Sequence, residues 1–194
     1  MKKETEYFII ISLPNEIKSF IQKCKLACAK YIGKFESMTS TAHISFAKYL
    51  DEEDIPGQMS EIMQRFLQIV EFEINRTNSI KIEIEGFNFF YHGTKYKTIY
   101  AALKLSDEFM IWINDIKTKL FIDRTIKPHI TIAKRISNES FEILWPHFQK
   151  LNYIQSFTPE CLTILCREAH KPFIPYKKFS EVNFIEQSNA LTTK

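Results

Sequence analysis

A chain of 194 residues and 23.0 kDa has the length of one domain or of two closely joined lobes. With 45% hydrophobic, 14% aromatic and 25% charged residues it is too apolar for a disordered chain and lacks the glycine or proline bias of a fibrous one. Its net charge of +3 arises in the second half, because residues 1–97 carry 13 basic and 13 acidic side chains and residues 98–194 carry 13 and 10. So mild an excess excludes a strong non-specific nucleic-acid binder; an anionic partner has to be gripped locally.

The first apolar run, Phe8 to Leu13, is far short of the ~20 residues a membrane helix needs and lacks a small-residue cleavage site, so a cytoplasmic protein without membrane contact is expected. Residues 6–13 read as a buried strand ended by Pro14-Asn15. Ile17, Phe20, Ile21, Cys24, Ala27, Cys28 and Tyr31 recur at helical steps and predict an amphipathic helix that Gly33 terminates. A strand over 42–50 leads to an acidic turn, Asp51-Glu52-Glu53-Asp54, and Met59, Ile62, Met63, Phe66 and Val70 line a second helix. Strands at 80–90 and 98–105 follow, the first alternating isoleucines with charged residues as in a half-buried antiparallel sheet, with Tyr91 to Lys95 as the turn between them. Ser106 is placed to cap a third helix striped by Phe109, Trp112, Ile113, Ile116 and Leu120. A strand at 128–135 precedes a fourth helix lined by Phe141, Leu144, Trp145, Phe148 and Leu151, kinked or restarted at Pro146. Strands at 160–167 and 177–184, joined by a turn over Lys171 to Pro175, close the pattern, and residues 187–194 read as a frayed tail. The four cysteines lack the tight Cys-x-x-Cys spacing of a zinc site and are expected to be reduced thiols.

Two hexamers are nearly copies of each other. His43-Ile44-Ser45-Phe46-Ala47-Lys48 and His129-Ile130-Thr131-Ile132-Ala133-Lys134 agree at four of six positions, lie 86 residues apart and each occupy a strand that follows a helix. Strict alternation puts His43, Ser45 and Ala47 on one face, and His129, Thr131 and Ala133 likewise, with the isoleucines and Phe46 opposite them. Two strands facing each other would bring two imidazoles and two hydroxyls to one cleft, the small alanines leaving room for a ligand. That set suits displacement at phosphorus without a metal or cofactor: one imidazole takes a proton, the other gives one, and the hydroxyls hold the non-bridging oxygens. No carboxylates sit at ligand spacing beside either histidine, which disfavours a metal-dependent phosphatase. His92, His147 and His170 read as surface or capping residues. Among Phe89, Phe90 and Tyr91, at least one has to point away from the core, where it can stack on a base.

The paired motif resembles the two-histidine (2H) phosphoesterases, and within them the bacterial 2'-5' RNA ligase and cyclic phosphodiesterase group. Pro128-His129-Ile130-Thr131-Ile132-Ala133 is similar to their second motif, and Leu13-Pro14, Gly86-Phe87 and Tyr176 extend the likeness along the chain. Lys134 stands where the family often has arginine, with Arg135 one place later, and Arg167 stands where relatives often have serine. The resemblance implies an α+β, bilobal, pseudo-symmetric fold of one domain, two antiparallel sheets with outer helices around a central cleft. It implies a monomeric hydrolase of RNA processing that opens a 2',3'-cyclic phosphate on an RNA end or small nucleotide to a 2'-phosphate, with joining through a 2',5' bond as the reverse. His43, His129, Ser45 and Thr131 are then catalytic, while Arg135 and Arg167, whose planar forks suit phosphate, bind substrate with Tyr176. The rival reading is a module of the same fold that binds a nucleotide or RNA end without turnover.

Overall fold

The computed structural model describes residues 4–53, 55 and 57–185, so the expected tail at 187–194 lies outside the described residues. The elements run β1 (Glu4–Ser12), α1 (Asn15–Ile32), β2 (His43–Glu52), α2 (Glu61–Ile74), β3 (Ile82–His92), β4 (Tyr96–Leu103), α3 (Asp107–Lys119), β5 (His129–Ser137), α4 (Asn138–Lys150), β6 (Ile154–Phe157), β7 (Cys161–Glu168) and β8 (Lys177–Asn183). The strands lie in the order β6-β3-β4-β5-β2-β1-β7-β8, every named pairing being antiparallel. Two four-stranded halves are thereby joined edge to edge, and β2 and β5 share a single register pair, Ile44 with Ile130.

One face of both halves is covered. Ile9, Ile11, Ile44, Phe46, Ile99, Ala101, Ile130 and Ile132 belong to the same buried cluster as Ile17 and Ile21 of α1, Val70 of α2, Ile113 and Ile116 of α3 and Leu144 of α4. The helices cross between halves: α1 follows β1 yet packs on β5 and α4, while α3 follows β4 yet packs on α2. Tyr49 of β2 stacks obliquely on Phe66 of α2 and donates its hydroxyl to the Leu120 carbonyl at the end of α3, tying that pair to the second half. The other face carries half-buried polar and aromatic side chains and no helix covers it among the packings described. No helix among the described residues is long and apolar enough to cross a membrane.

Local chemistry sets the helix ends. Ser60, Ser106 and Ser137 each accept the backbone N–H three residues on, which caps α2, α3 and α4. Gly33 ends α1 with φ 73°, and Gly86 has φ 69° where β3 bulges against β4, backbone positions that a side chain rarely adopts.

The structure corrects three expectations and adds one strand. The first half of the expected acidic turn is strand: Asp51 and Glu52 finish β2, Asp51 is buried and accepts from Ser60, and Glu53 is buried and accepts from Thr5 and the Gly57 N–H. Helix α4 is not restarted at Pro146 but runs through it, the packing of Phe141, Leu144 and Phe148 on the core carrying the helix across the lost N–H. Ile62 projects outward, 83% exposed. Strand β6 is an unforeseen edge strand, only four residues long and buried at Phe157 alone.

Because Ser60 both caps α2 and covers Asp51, Ser60→Ala is expected to cost about 2–3 kcal/mol in urea denaturation, against about 1 kcal/mol for Ser106→Ala, which loses a cap alone. Equal losses would mean that Asp51 does not depend on Ser60.

Candidate active site

Both histidines open their strands, and both are held alike. His43 Nδ1 lies 2.8 Å from the Thr41 carbonyl and His129 Nδ1 lies 2.8 Å from the Lys127 carbonyl. A carbonyl only accepts, so each Nδ1 carries the proton and each neutral ring presents a bare Nε2.

Register defines the face. Opposite residues of an antiparallel pair share a side: Ser12 faces His43 and Ile10 faces Ser45, while Ala102 faces His129 and Tyr100 faces Thr131. Around the Ile44–Ile130 pair, antiparallel running places His43 beside Thr131 and Ser45 beside His129. The four residues singled out by the repeat therefore gather about one point on the uncovered face, and the charge on His129 is felt at His43.

The alanines do not join them. Each motif strand bulges after its third residue, so that Ile9 and Ile10 face Ala47 and Ser45, and Ile99 and Tyr100 face Ala133 and Thr131. The bulge turns Ala47 and Ala133 to the helix side, 6% and 0% exposed, and returns Lys48 to the histidine side.

Each histidine has an aromatic and cationic flank. Phe8 meets the His43 ring edge-on at 5.3 Å, Tyr176 leans on Phe8, and Lys48 lies over both aromatic rings. Phe90 meets the His129 ring at 4.8 Å and stacks on Tyr100 at 4.2 Å, and Lys127 lies over both. Of the aromatic triplet, Phe90 is thus the residue at the site, whereas Phe89 packs on Phe141 and Trp145. Sequence periodicity gave no signal for Phe8, which reads as one more apolar residue of a buried strand.

The expected substrate-binding residues are placed unevenly. Tyr176 lies on the site face and donates its hydroxyl to Glu6. Arg167 is on the same face, but its guanidinium is spent on Glu6, at 2.9 and 2.7 Å, and on the Pro172 carbonyl. Glu6 carries no sequence signal of this role, since a carboxylate two residues before Phe8 gives no sign of its partner 161 positions away. Arg135 adopts φ 50°, donates its backbone N–H to Thr98 and lies over Tyr96, toward the far end of β5 from His129. Lys134 pairs with Glu36. His92, exposed at the end of β3, hydrogen-bonds to the buried Thr98 hydroxyl, and its charge is felt at His129.

Both imidazoles are held below the usual histidine range. Burial is the main cause for His43, helped by the charges of Lys25, His129 and Lys48 and opposed by the Thr41 carbonyl. Burial again leads for His129, with Lys127 and His92 adding to it and the Lys127 carbonyl opposing. Glu6 is the counterweight on this face: burial works to raise it, but the hydrogen bonds from Tyr176 and Arg167 and the charge of Lys48 hold it below its ordinary value. The free site is thus poised with neutral rings and cations around them, a setting that an anion completes. Removing a repelling cation favours the imidazolium, so Lys48→Met should raise the NMR titration midpoint of His43 and leave that of His129 nearly unmoved. An unchanged His43 midpoint would show that Lys48 does not act on it.

A family model for the 2'-5' RNA ligase superfamily matches residues 13–171. Among solved structures, the Thermus thermophilus protein TT0787 is similar with a TM-score of 0.64 and 14% identity, over 94% of this chain and 100% of that one. Escherichia coli LigT, solved with 3'-AMP, is similar with a TM-score of 0.61 and 11% identity, over 95% and 99%; it has also been solved with phosphate. No curated protein sequence matches significantly. At these identities the structures speak for the fold, and the family match covers most of the chain with both motifs inside it. The chain belongs to the 2'-5' RNA ligase superfamily, within the two-histidine phosphoesterases.

Proposed function

We propose that this protein is a metal-independent phosphodiesterase that opens 2',3'-cyclic phosphates of RNA ends or small nucleotides to 2'-phosphates. The observation that carries the reading is the pair of imidazoles on one sheet face, each fixed through Nδ1 to the carbonyl two residues back, each beside a hydroxyl. Family membership and the nucleotide and phosphate complexes of LigT support it.

In the proposed reaction one Nε2 takes a proton from water as the water oxygen bonds to phosphorus. The P–O3' bond breaks, and the other imidazole, protonated, gives its proton to O3', so that phosphate remains on O2'. Ser45 and Thr131 donate to the non-bridging oxygens, where negative charge grows. A 5'-hydroxyl in place of water would leave a 2',5' bond by the same proton movements. The depressed basicity of both rings matters here: a bound phosphate raises it, so the acid is charged by the substrate it serves. Phe8 and Phe90 stand where nucleobases on either side of the phosphate can lie against them.

Replacing His43 or His129 by alanine is expected to lower turnover of a 2',3'-cyclic nucleotide by about 10²–10⁴ while nucleotide binding largely survives. Ser45→Ala and Thr131→Val should lose about 10²-fold without displacing either limb of the pH profile, because no proton carrier is removed. Full turnover in the His43 variant would show the repeated motif to be structural.

The same logic fixes the pH dependence. The base fails when protonated and the acid fails when deprotonated, and both free rings titrate below 6.5. The kcat/KM bell should therefore lie on the acid side of 6.5, with the kcat bell displaced toward neutrality by the bound phosphate. Coincident bells would contradict the anion's role in charging the acid.

A further inference from the structure

The two motif strands leave a problem at the seam that the sheet does not solve. Past Ile44 and Ile130 they part, and the carbonyls of Phe46 and Ile132, at the two bulges, lose the ladder partner that continued pairing would offer. Opposite Phe46 in that register stands Pro128, which has no N–H to give.

Each carbonyl is instead met by a side chain from the loop that enters the other motif strand. Ser37, buried at 5% exposure in the loop before β2, donates its hydroxyl at 2.7 Å to the Ile132 carbonyl and accepts the Lys134 N–H at 3.0 Å, spanning the β5 bulge. Arg124, in the loop before β5, donates at 3.3 Å to the Phe46 carbonyl at the β2 bulge. Phe46 and Ile132 are equivalent positions of the repeat, so the two contacts are equivalents as well. The Ser37 loop is itself secured from α1, where the fully buried Lys25 donates to the Ser40 carbonyl and hydroxyl at 2.7 and 2.9 Å, and the Ser40 hydroxyl donates to the Ser37 carbonyl.

We infer that Ser37 and Arg124 are reciprocal positioning residues, a cross-brace that sets the two histidine motifs relative to each other. The loop that holds Ser37 also carries the Thr41 carbonyl that orients His43, while the bulge it grips follows Thr131. The loop that holds Arg124 also carries the Lys127 carbonyl that orients His129, while the bulge it grips follows Ser45. Each brace therefore touches both halves of the site. The shared core joins the halves from the helix side; the Ser37 and Arg124 contacts to strand backbone, one on each side of the Ile44 and Ile130 pair, fix the two bulged strands against each other. The catalytic consequence rests on the function proposed above, whereas the placement itself does not.

The test uses the full chain and reads the imidazole ¹H–¹³C signals of His43 and His129 at fixed pH, together with turnover, in Ser37→Ala, Ser37→Thr, Arg124→Ala and Arg124→Lys. Each alanine variant is expected to shift both histidine signals, and the hydroxyl- or cation-retaining variant is expected to restore them. Turnover of a 2',3'-cyclic nucleotide should fall by about 10–10²-fold in kcat, with KM within about two-fold, the pattern of misplaced groups with binding intact. If Ser37→Ala fails to fold, Arg124→Ala, on an exposed side chain, decides the matter. A shift confined to the histidine nearer the altered loop overturns the cross-brace. Shifts of both signals in a protein that turns nothing over uphold the brace and overturn the enzymatic reading.

Discussion

Everything about the site follows from one backbone pair, Ile44 with Ile130, where two four-stranded halves meet. Both side chains are essentially fully buried under the helices, at 1% and 0% exposure, which fixes which way their neighbours point. A one-residue slip would send His43, Ser45, His129 and Thr131 into the core and bring the isoleucines out, an exchange the burial of apolar surface forbids. Antiparallel pairing about a single point also explains the pseudo-twofold relation of histidine to hydroxyl: each imidazole has its own strand's hydroxyl two residues on and the other strand's hydroxyl across the seam. The crossing of α1 and α3 to the opposite halves makes the joint a shared core, not a hinge of two separate ones.

The uncovered face is organised by charge in the same paired fashion. Lys48 and Lys127, which occupy different positions of the repeat, each lie over a pair of aromatic rings, and each depresses the histidine beside it. In the second half Glu6 gathers Lys48, Arg167 and Tyr176, which neutralises part of that surface and orders the flank near His43. The first half has no carboxylate contact to Lys127 among those described, so the two flanks, similar in shape, differ in charge. An anion entering the seam meets rings kept neutral by burial and cations that have been brought close without being fully paired.

Much of this was legible in the residues. The repeat announced the two strands and the four residues that gather, because period-two alternation is a direct consequence of the pleat. Serine caps at Ser106 and the apolar stripes of the helices were equally readable. What alternation cannot show is where it fails: Phe46-Ala47 and Ile132-Ala133 are consecutive apolar pairs, and only pairing with β1 and β4 reveals that each is a bulge. That single irregularity sent Ala47 and Ala133 to the core and Lys48 to the site. The partners of Arg167 and of the acidic residues were hidden for another reason, since the partner of a buried charge is chosen by tertiary proximity; Glu6 pairs with Arg167, and Ser60 and Gly57 donate to Asp51 and Glu53. Strand β6 is four residues long and buries only Phe157, so it has too little hydrophobic pattern to read.

In the function proposed here, two imidazoles across this seam move the protons of a phosphodiester displacement with no metal ion taking part. The most direct measurement is to incubate the full chain with a 2',3'-cyclic nucleotide in excess EDTA and to separate the products chromatographically. Turnover to the 2'-phosphate alone is expected. Binding without turnover, loss of activity to EDTA, or a 3'-phosphate product would contradict it.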